Sequence, residues 1–173
     1  MQEDSDRLIA CIPRLRRYAR ALLGGRADAD DLVQDTVERG WDKLDSWRRG
    51  SDMRAWLFGI MHNLHVDHQR RPTLPTEPLD ALDDGKLPAS TADGNTAEGR
   101  LALRDMDSAL QQLPPEQREI LLLVALEEMT YDEVAAALNI PMGTVMSRLS
   151  RARERLRLLM QGRPLPTPLK VIK

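Results

Sequence analysis

Residues 130–160 read TYDEVAAALNIPMGTVMSRLSRARERLRLLM, and this stretch decides the fold. Over Tyr131–Leu138 the apolar residues Val134, Ala135 and Leu138 recur at helical spacing. Asn139-Ile140-Pro141 then breaks the pattern, because proline has no N–H to donate and disfavours a helical residue before it. A second helix restarts at about Met142 and meets no further breaker until Gly162. Two short helices across a tight turn form a helix-turn-helix, the motif that lays its second helix in a DNA major groove.

The second helix has two distinct sides. At about 100° per residue, Val145, Leu149, Ala152 and Leu156 share the side expected to face a core. Ser147, Ser150, Arg151 and Glu154 lie opposite, with Thr144, Met146 and Arg148 on the flanks. Hydroxyls, a methionine and a central arginine suit base edges. Arg148, Arg153, Arg155 and Arg157, at the shoulders and the C-terminal end, suit phosphates. The alternative is a solvated basic helix whose arginines merely favour the negative helix end.

Composition sets the frame. The chain has 173 residues and a net charge of -2, so its basic surface is local. Aromatic residues are 3% and strand-like alternation is absent, which predicts an all-α protein. The single cysteine, Cys11, precludes an internal disulfide framework and sits in an apolar helical pattern. No apolar run reaches membrane-spanning length and the N-terminus shows no signal-peptide pattern, so a cytoplasmic location is expected.

The sequence divides at a linker. From Arg71 to Asn95, prolines at 72, 75, 78 and 88 with glycines and small polar residues argue against regular structure. An extended, mobile segment is expected there, with Asp80, Asp83 and Asp84 in solvent. The proline-punctuated tail from Gly162 to Lys173 is expected to be loose. The expected organisation is two small helical domains, 1–71 and 96–161, flanking the linker 72–95, with a tail 162–173.

The N-terminal block predicts three helices. The first, Asp6–Leu23, carries Leu8, Ile9, Ile12, Leu15 and Ala19 and ends at Gly24-Gly25. The second runs from about Asp28 to Leu44, with Leu32, Val33, Thr36, Val37 and Trp41 expected inward. Asp31, Gln34, Asp35 and Glu38 share a narrow arc on its other side, which is either a solvated face or a dock for a basic partner. The loop Asp45–Asp52 brings Trp47, Arg48, Arg49 and Ser51 ahead of a third helix, Met53–Arg70, which should bury Trp56, Leu57, Ile60, Met61 and Leu64. Aromatic and basic side chains in that loop, with Asn63, Arg70 and Arg71 at the end of the third helix, suit stacking on and neutralising single-stranded DNA. His62, His65 and His68 rotate progressively around this helix, so no metal site is expected from them. No cofactor-binding motif is present either.

Two blocks together resemble one family. DADDLVQDTVERGWDKLD followed by MRAWLFGIMHNLHVDHQRR resembles sigma region 2, and LPPEQREILLLVALEEMTYDEVAAALNIPMGTVMSRLSRARERL resembles sigma region 4. Their order, the short chain and the lack of a region 3 are similar to extracytoplasmic-function (group IV) RNA polymerase sigma factors. The resemblance implies an alternative sigma factor, not itself an enzyme, that binds core polymerase and recognises promoter DNA. It implies that Asp31, Gln34, Asp35 and Glu38 dock on the clamp helices of the largest core subunit, and that region 4 meets the flap of the second-largest subunit. Trp47, Arg48, Arg49, Ser51, Asn63, Arg70 and Arg71 would contact the −10 element. Thr144, Met146, Ser147, Arg148, Ser150 and Arg151 would contact the −35 element. An anti-sigma factor is the implied regulator. A stand-alone helix-turn-helix regulator is the competing reading, and a metal-dependent enzyme a remote one.

Overall fold

A computed structural model describes residues 2–71 and 96–162. Among these residues the regular structure is entirely helical, as composition and periodicity predict. The expected linker 72–95 and the tail beyond Gly162 lie outside the described residues.

The N-terminal half contains α1 (Gln2–Leu23), α2 (Arg26–Asp42), a short 3-10 turn (Leu44–Ser46) and α3 (Met53–Arg70). Helix α1 starts a turn earlier than periodicity indicates, with Glu3 and Asp4 in its first turn, where carboxylates favour the positive helix end. It buries Leu8, Leu15, Tyr18, Ala19 and Leu22. Gly24, at φ 71°, ends it in the left-handed region that glycine reaches without a Cβ clash. Asp52 caps α3 by accepting from the Arg54 amide at 2.9 Å. Tyr18 and Phe58 meet edge to face, with ring centroids 4.9 Å apart, and join α1 to α3.

Two tryptophans exchange their expected places. Trp41 is 51% exposed, whereas Trp47 is only 5% exposed and belongs to the core. In α2 the buried face runs through Ala29, Leu32, Val33, Thr36 and Gly40. That places Trp41 about 80° beyond the edge of the buried arc at Val33, at about 100° per residue, and Gly40 fills the inward position. The missing Cβ of Gly40 lets the helix approach Leu57, whose Cδ2 would lie 2.8 Å from such an atom. Trp47 is turned back onto the core after the 3-10 turn. Ile9, expected inward, is 51% exposed on α1.

The C-terminal half contains α4 (Ala97–Gln111), α5 (Pro115–Ala125), α6 (Tyr131–Leu138) and α7 (Met142–Met160). Thr130 caps α6 through a reciprocal capping box with Glu133. Asn139 follows in the left-handed region at φ 53°, and its amide and that of Ile140 satisfy the Ala136 and Ala135 carbonyls. Val145, Leu149 and Ala152 of α7 are buried and Leu156 partly so, which is the face that periodicity indicates.

The halves pack against one another. Helix α3 lies along α6, and α1 along α5, so one hydrophobic cluster runs through both. Polar links reinforce this contact. From α5, Arg118 donates to the carbonyls of Leu110 (2.8 Å), Gln111 (2.8 Å) and Leu113 (2.9 Å), and crosses to that of Leu22 (2.8 Å). Gln111 donates to the Ala21 carbonyl at 3.0 Å. The Arg118 guanidinium thus ties the end of α1 to the α4–α5 turn.

Replacing Arg118 by methionine keeps the stem but removes every donor to these carbonyls. The expected result is a loss of about 2–4 kcal/mol of unfolding free energy, measured by urea denaturation with helix content as the signal.

Candidate nucleic-acid and polymerase interfaces

The capping box and the Asn139 turn fix α6 against α7 before any ligand arrives. With Val145, Leu149 and Ala152 buried, the opposite face of α7 is presented to solvent. Ser147, Ser150, Arg151 and Glu154 are exposed, Met146 is 53% exposed, and Thr144 and Arg148 are half-buried on the flanks. All six residues expected to read the −35 element therefore share one accessible surface. The Ser147 hydroxyl donates to the Thr144 carbonyl at 3.2 Å, which leaves its lone pairs for a donor from outside. A shallow groove beside this face is lined by Tyr131, Met146, Leu149, Ser150 and Arg153.

The arginines of α7 are not equivalent. Arg157 is held by Glu154 in two hydrogen bonds of 2.7 and 3.0 Å. This pairing holds the Glu154 carboxyl below its ordinary range and the Arg157 guanidinium above its own. Arg151 and Arg153 are exposed, with no such fork among the described residues.

On α2 the arc expected to dock a partner is intact. Asp31, Gln34 and Glu38 are exposed and Asp35 is half-buried. Gln34 donates to Glu38 at 3.0 Å, and Asp35 lies 3.4 Å from the His68 Nε2. These are exposed or half-exposed contacts of small energetic weight, so the carboxylates are available to an external cation at little cost to the fold.

The 45–52 loop is divided. Arg48, Arg49 and Ser51 are exposed at its tip around Gly50 (φ 92°), and Ser51 donates to the Arg48 carbonyl at 2.7 Å. Arg49 pairs with Asp4 at 3.0 Å. Trp47 does not join them, since its ring is part of the core and is not presented for stacking. Asn63, Arg70 and Arg71 are exposed along the far end of α3.

The three histidines have separate surroundings. His62 Nδ1 is 2.7 Å from Glu119, His65 Nε2 is 3.0 Å from Gln69, and His68 faces Asp35. Burial, opposed by Glu119 and reinforced by His62, His68 and Arg118, holds the His65 pKa below 6.5. The Gln69 amide fits a neutral ring as acceptor. Burial and then Asp52 push the Cys11 thiol up, outweighing Arg14 and Arg54, so it is a poor nucleophile.

Sequence reasoning missed the residues that join the halves: Arg17, Arg54, Arg118, Glu119 and Glu127. The signal was the pair of glutamates bounding the apolar run of α5. Both are buried, Glu119 at 6% and Glu127 at 1% exposure.

This geometry has close counterparts. The family model for the Sigma2 domain of PhyR matches residues 8–62, and that for sigma-70 region 4 matches residues 103–156. The ECF RNA polymerase sigma factor EcfG of Rhodopseudomonas palustris is 37% identical, over 90% of this chain and 83% of that protein. The ECF RNA polymerase sigma factor SigW of Bacillus subtilis is 31% identical, over 79% of this chain and 77% of that protein. The sigma factor RpoE of Bartonella quintana, solved in complex with the anti-sigma factor NepR, superimposes with a TM-score of 0.75 at 32% identity. That match covers 93% of this chain and 98% of the other. CnrH, solved with the cytosolic domain of CnrY, gives a TM-score of 0.67 at 29% identity, covering 94% and 90% of the two chains. The chain belongs to the extracytoplasmic-function RNA polymerase sigma factors. Proteins of this family are transcription initiation factors that bind core polymerase and promoter DNA.

The His65 environment has a pH consequence. Its folded pKa lies below the unfolded 6.5, so the unfolded chain binds more protons in the interval between them. The stabilisation is full above pH 6.5 and is lost as the pH falls through that interval. Thermal melts of the His65→Leu variant are expected to show a flatter pH dependence below 6.5 than the parent. Identical slopes would assign the acid sensitivity to other groups.

Proposed function

We propose that this chain directs transcription initiation at promoters carrying −10 and −35 elements, with residues 1–71 serving as region 2 and 96–161 as region 4. The observation that carries the reading is one chain holding two separate surfaces. One is an acidic arc on α2, and the other an exposed hydroxyl- and arginine-bearing face on α7. A stand-alone DNA-binding regulator has use for the second surface and none for the first.

In this reading Asp31, Gln34, Asp35 and Glu38 engage the clamp helices of the largest core subunit, and region 4 engages the flap. Arg48, Arg49, Ser51, Asn63, Arg70 and Arg71 contact −10 DNA, while the buried Trp47 supports their loop. Thr144, Met146, Ser147, Arg148, Ser150 and Arg151 contact the −35 duplex. Each DNA surface alone offers few phosphate contacts, so strong promoter binding arises only when both are held on polymerase. The chain contributes recognition and the core enzyme the chemistry of RNA synthesis, so the chain is not itself an enzyme. It acts in the cytoplasm without a cofactor of its own. No helix among the described residues is long and apolar enough to cross a membrane. Two structural relatives were solved with partner proteins, NepR named as an anti-sigma factor, which supports an anti-sigma partner here as well.

A second reading has one observation in its favour, the match to the Sigma2 domain of PhyR. A structure of PhyR is described as an anti-anti-sigma factor. A chain acting that way would capture an anti-sigma factor and leave core polymerase alone.

Transcription with purified core polymerase on fragmented genomic DNA separates the readings. Discrete starts that depend on the chain are expected, and their absence with a cognate, active core would favour the anti-sigma-capturing chain or the stand-alone regulator. Arg151→Ala is expected to weaken −35-dependent promoter binding by about 1–3 kcal/mol while core binding stays intact. The double variant Gln34→Ala, Asp35→Ala is expected to lose more than about 1 kcal/mol of core affinity with thermal stability little changed. Normal core binding by that variant would remove the α2 arc from the interface.

A further inference from the structure

We propose that the exposed face of α7 selects a thymine in the −35 element: Met146, lying over Leu149, takes its C5-methyl group, and the Ser150 hydroxyl donates to its O4. The inference rests on the sigma-factor reading and names the base that one part of this face recognises. Helical geometry sorts the outward residues of α7 into two ridges. Thr144, Arg148, Arg151 and Arg155 follow one another at steps of three and four along one side, and Met146, Ser150, Arg153 and Arg157 along the other. The first ridge is rich in guanidinium groups, which suit phosphates and guanine. The second begins with two uncharged residues. They stand in the N-terminal turns, the part of a recognition helix that meets base edges in the major groove.

Met146 is 53% exposed, whereas Leu149 beside it is 2% exposed. With Tyr131, the first residue of α6, and Ser150, they line one end of the shallow groove between the two helices. That end has an apolar floor and a hydroxyl on its rim. At the other end Glu154 and Arg157 neutralise each other through their paired hydrogen bonds.

The two serines of this face differ in what they can give. The Ser147 hydroxyl spends its proton on the Thr144 carbonyl at 3.2 Å, so outward it only accepts. The Ser150 hydroxyl makes no hydrogen bond among the described residues, and its proton is open to an acceptor. An apolar surface beside a free donor matches one base edge. In the major groove thymine presents a C5-methyl group next to the O4 acceptor. Cytosine places an amino donor there and has no methyl group, and the purines offer N7 with no methyl group either. Methionine suits the contact because its unbranched thioether adapts to the shape it meets.

The test uses holoenzyme assembled from the chain and core polymerase, on a promoter mapped from chain-dependent starts. Each thymine of the −35 element, on either strand, is replaced in turn by deoxyuridine, which removes the methyl group and keeps every hydrogen-bonding atom. The holoenzyme concentration giving half-maximal open complex is then measured. At one position it is expected to rise about fourfold, the worth of one buried methyl group. Met146→Ser is expected to bring the thymine-to-uracil ratio at that position to about one, and Met146→Leu to preserve it. Met146 is exposed, so neither substitution disturbs the core. Ser150→Ala is expected to weaken thymine and uracil templates alike, by about fivefold, and unchanged binding would overturn the O4 contact. Chain-dependent transcription from an element with no methyl-sensitive thymine would overturn the proposal and leave the sigma reading standing. A ratio that survives Met146→Ser would place the methyl contact on another residue and equally overturn it. If no template yields chain-dependent starts, the sigma reading fails first and the thymine reading falls with it.

Discussion

Each half of this molecule is small for a domain, and helix α1 contributes apolar contact to both. Domains of roughly 60 residues bury only about 60% of the surface their unfolded chains expose. Helix α1 meets this limit by serving two cores. Leu8, Leu15, Tyr18, Ala19 and Leu22 face inward, with α2 and α3 on one flank and α4 and α5 on the other. Its final carbonyls, at Ala21 and Leu22, are taken by Gln111 and Arg118 from the C-terminal half. The apolar cluster is consequently continuous, and each half is steadied by the other.

Much of the fold was legible because helices impose a period. The core face of α7 and the break at Pro141 were readable from spacing and from proline's missing N–H alone. The two tryptophans show where that reading fails. Trp41 was placed inward with Leu32, Val33, Thr36 and Val37, yet the phase of α2 directs Gly40 to the core. A glycine gives no hydropathy signal, although its lack of a Cβ is what admits Leu57. Trp47 follows a 3-10 turn, after which helical phase carries no information about direction.

The surfaces were legible to a different degree. The acidic arc of α2 and the exposed face of α7 follow directly from periodicity, and both are where it put them. The contact between the halves was not legible. It is made by charged residues, Arg17, Arg54, Arg118, Glu119 and Glu127, which a sequence reading assigns to solvent by default. A buried carboxylate is meaningful only with its partner, and here Arg17 and Glu127 stand 110 positions apart. No local window contains both.

The turn between α6 and α7 has a consequence for how such a protein diversifies. Its geometry is held by Thr130, Glu133 and the left-handed Asn139, while Val145, Leu149 and Ala152 anchor the second helix from behind. None of these residues lies on the exposed face. Met146, Ser147, Ser150 and Arg151 are therefore free to change without disturbing the scaffold that presents them. If this face reads promoter DNA as proposed, promoter preference becomes a nearly independent variable while the frame stays constant. Under that reading, a few substitutions on this face would retune the chain and leave its stability unchanged.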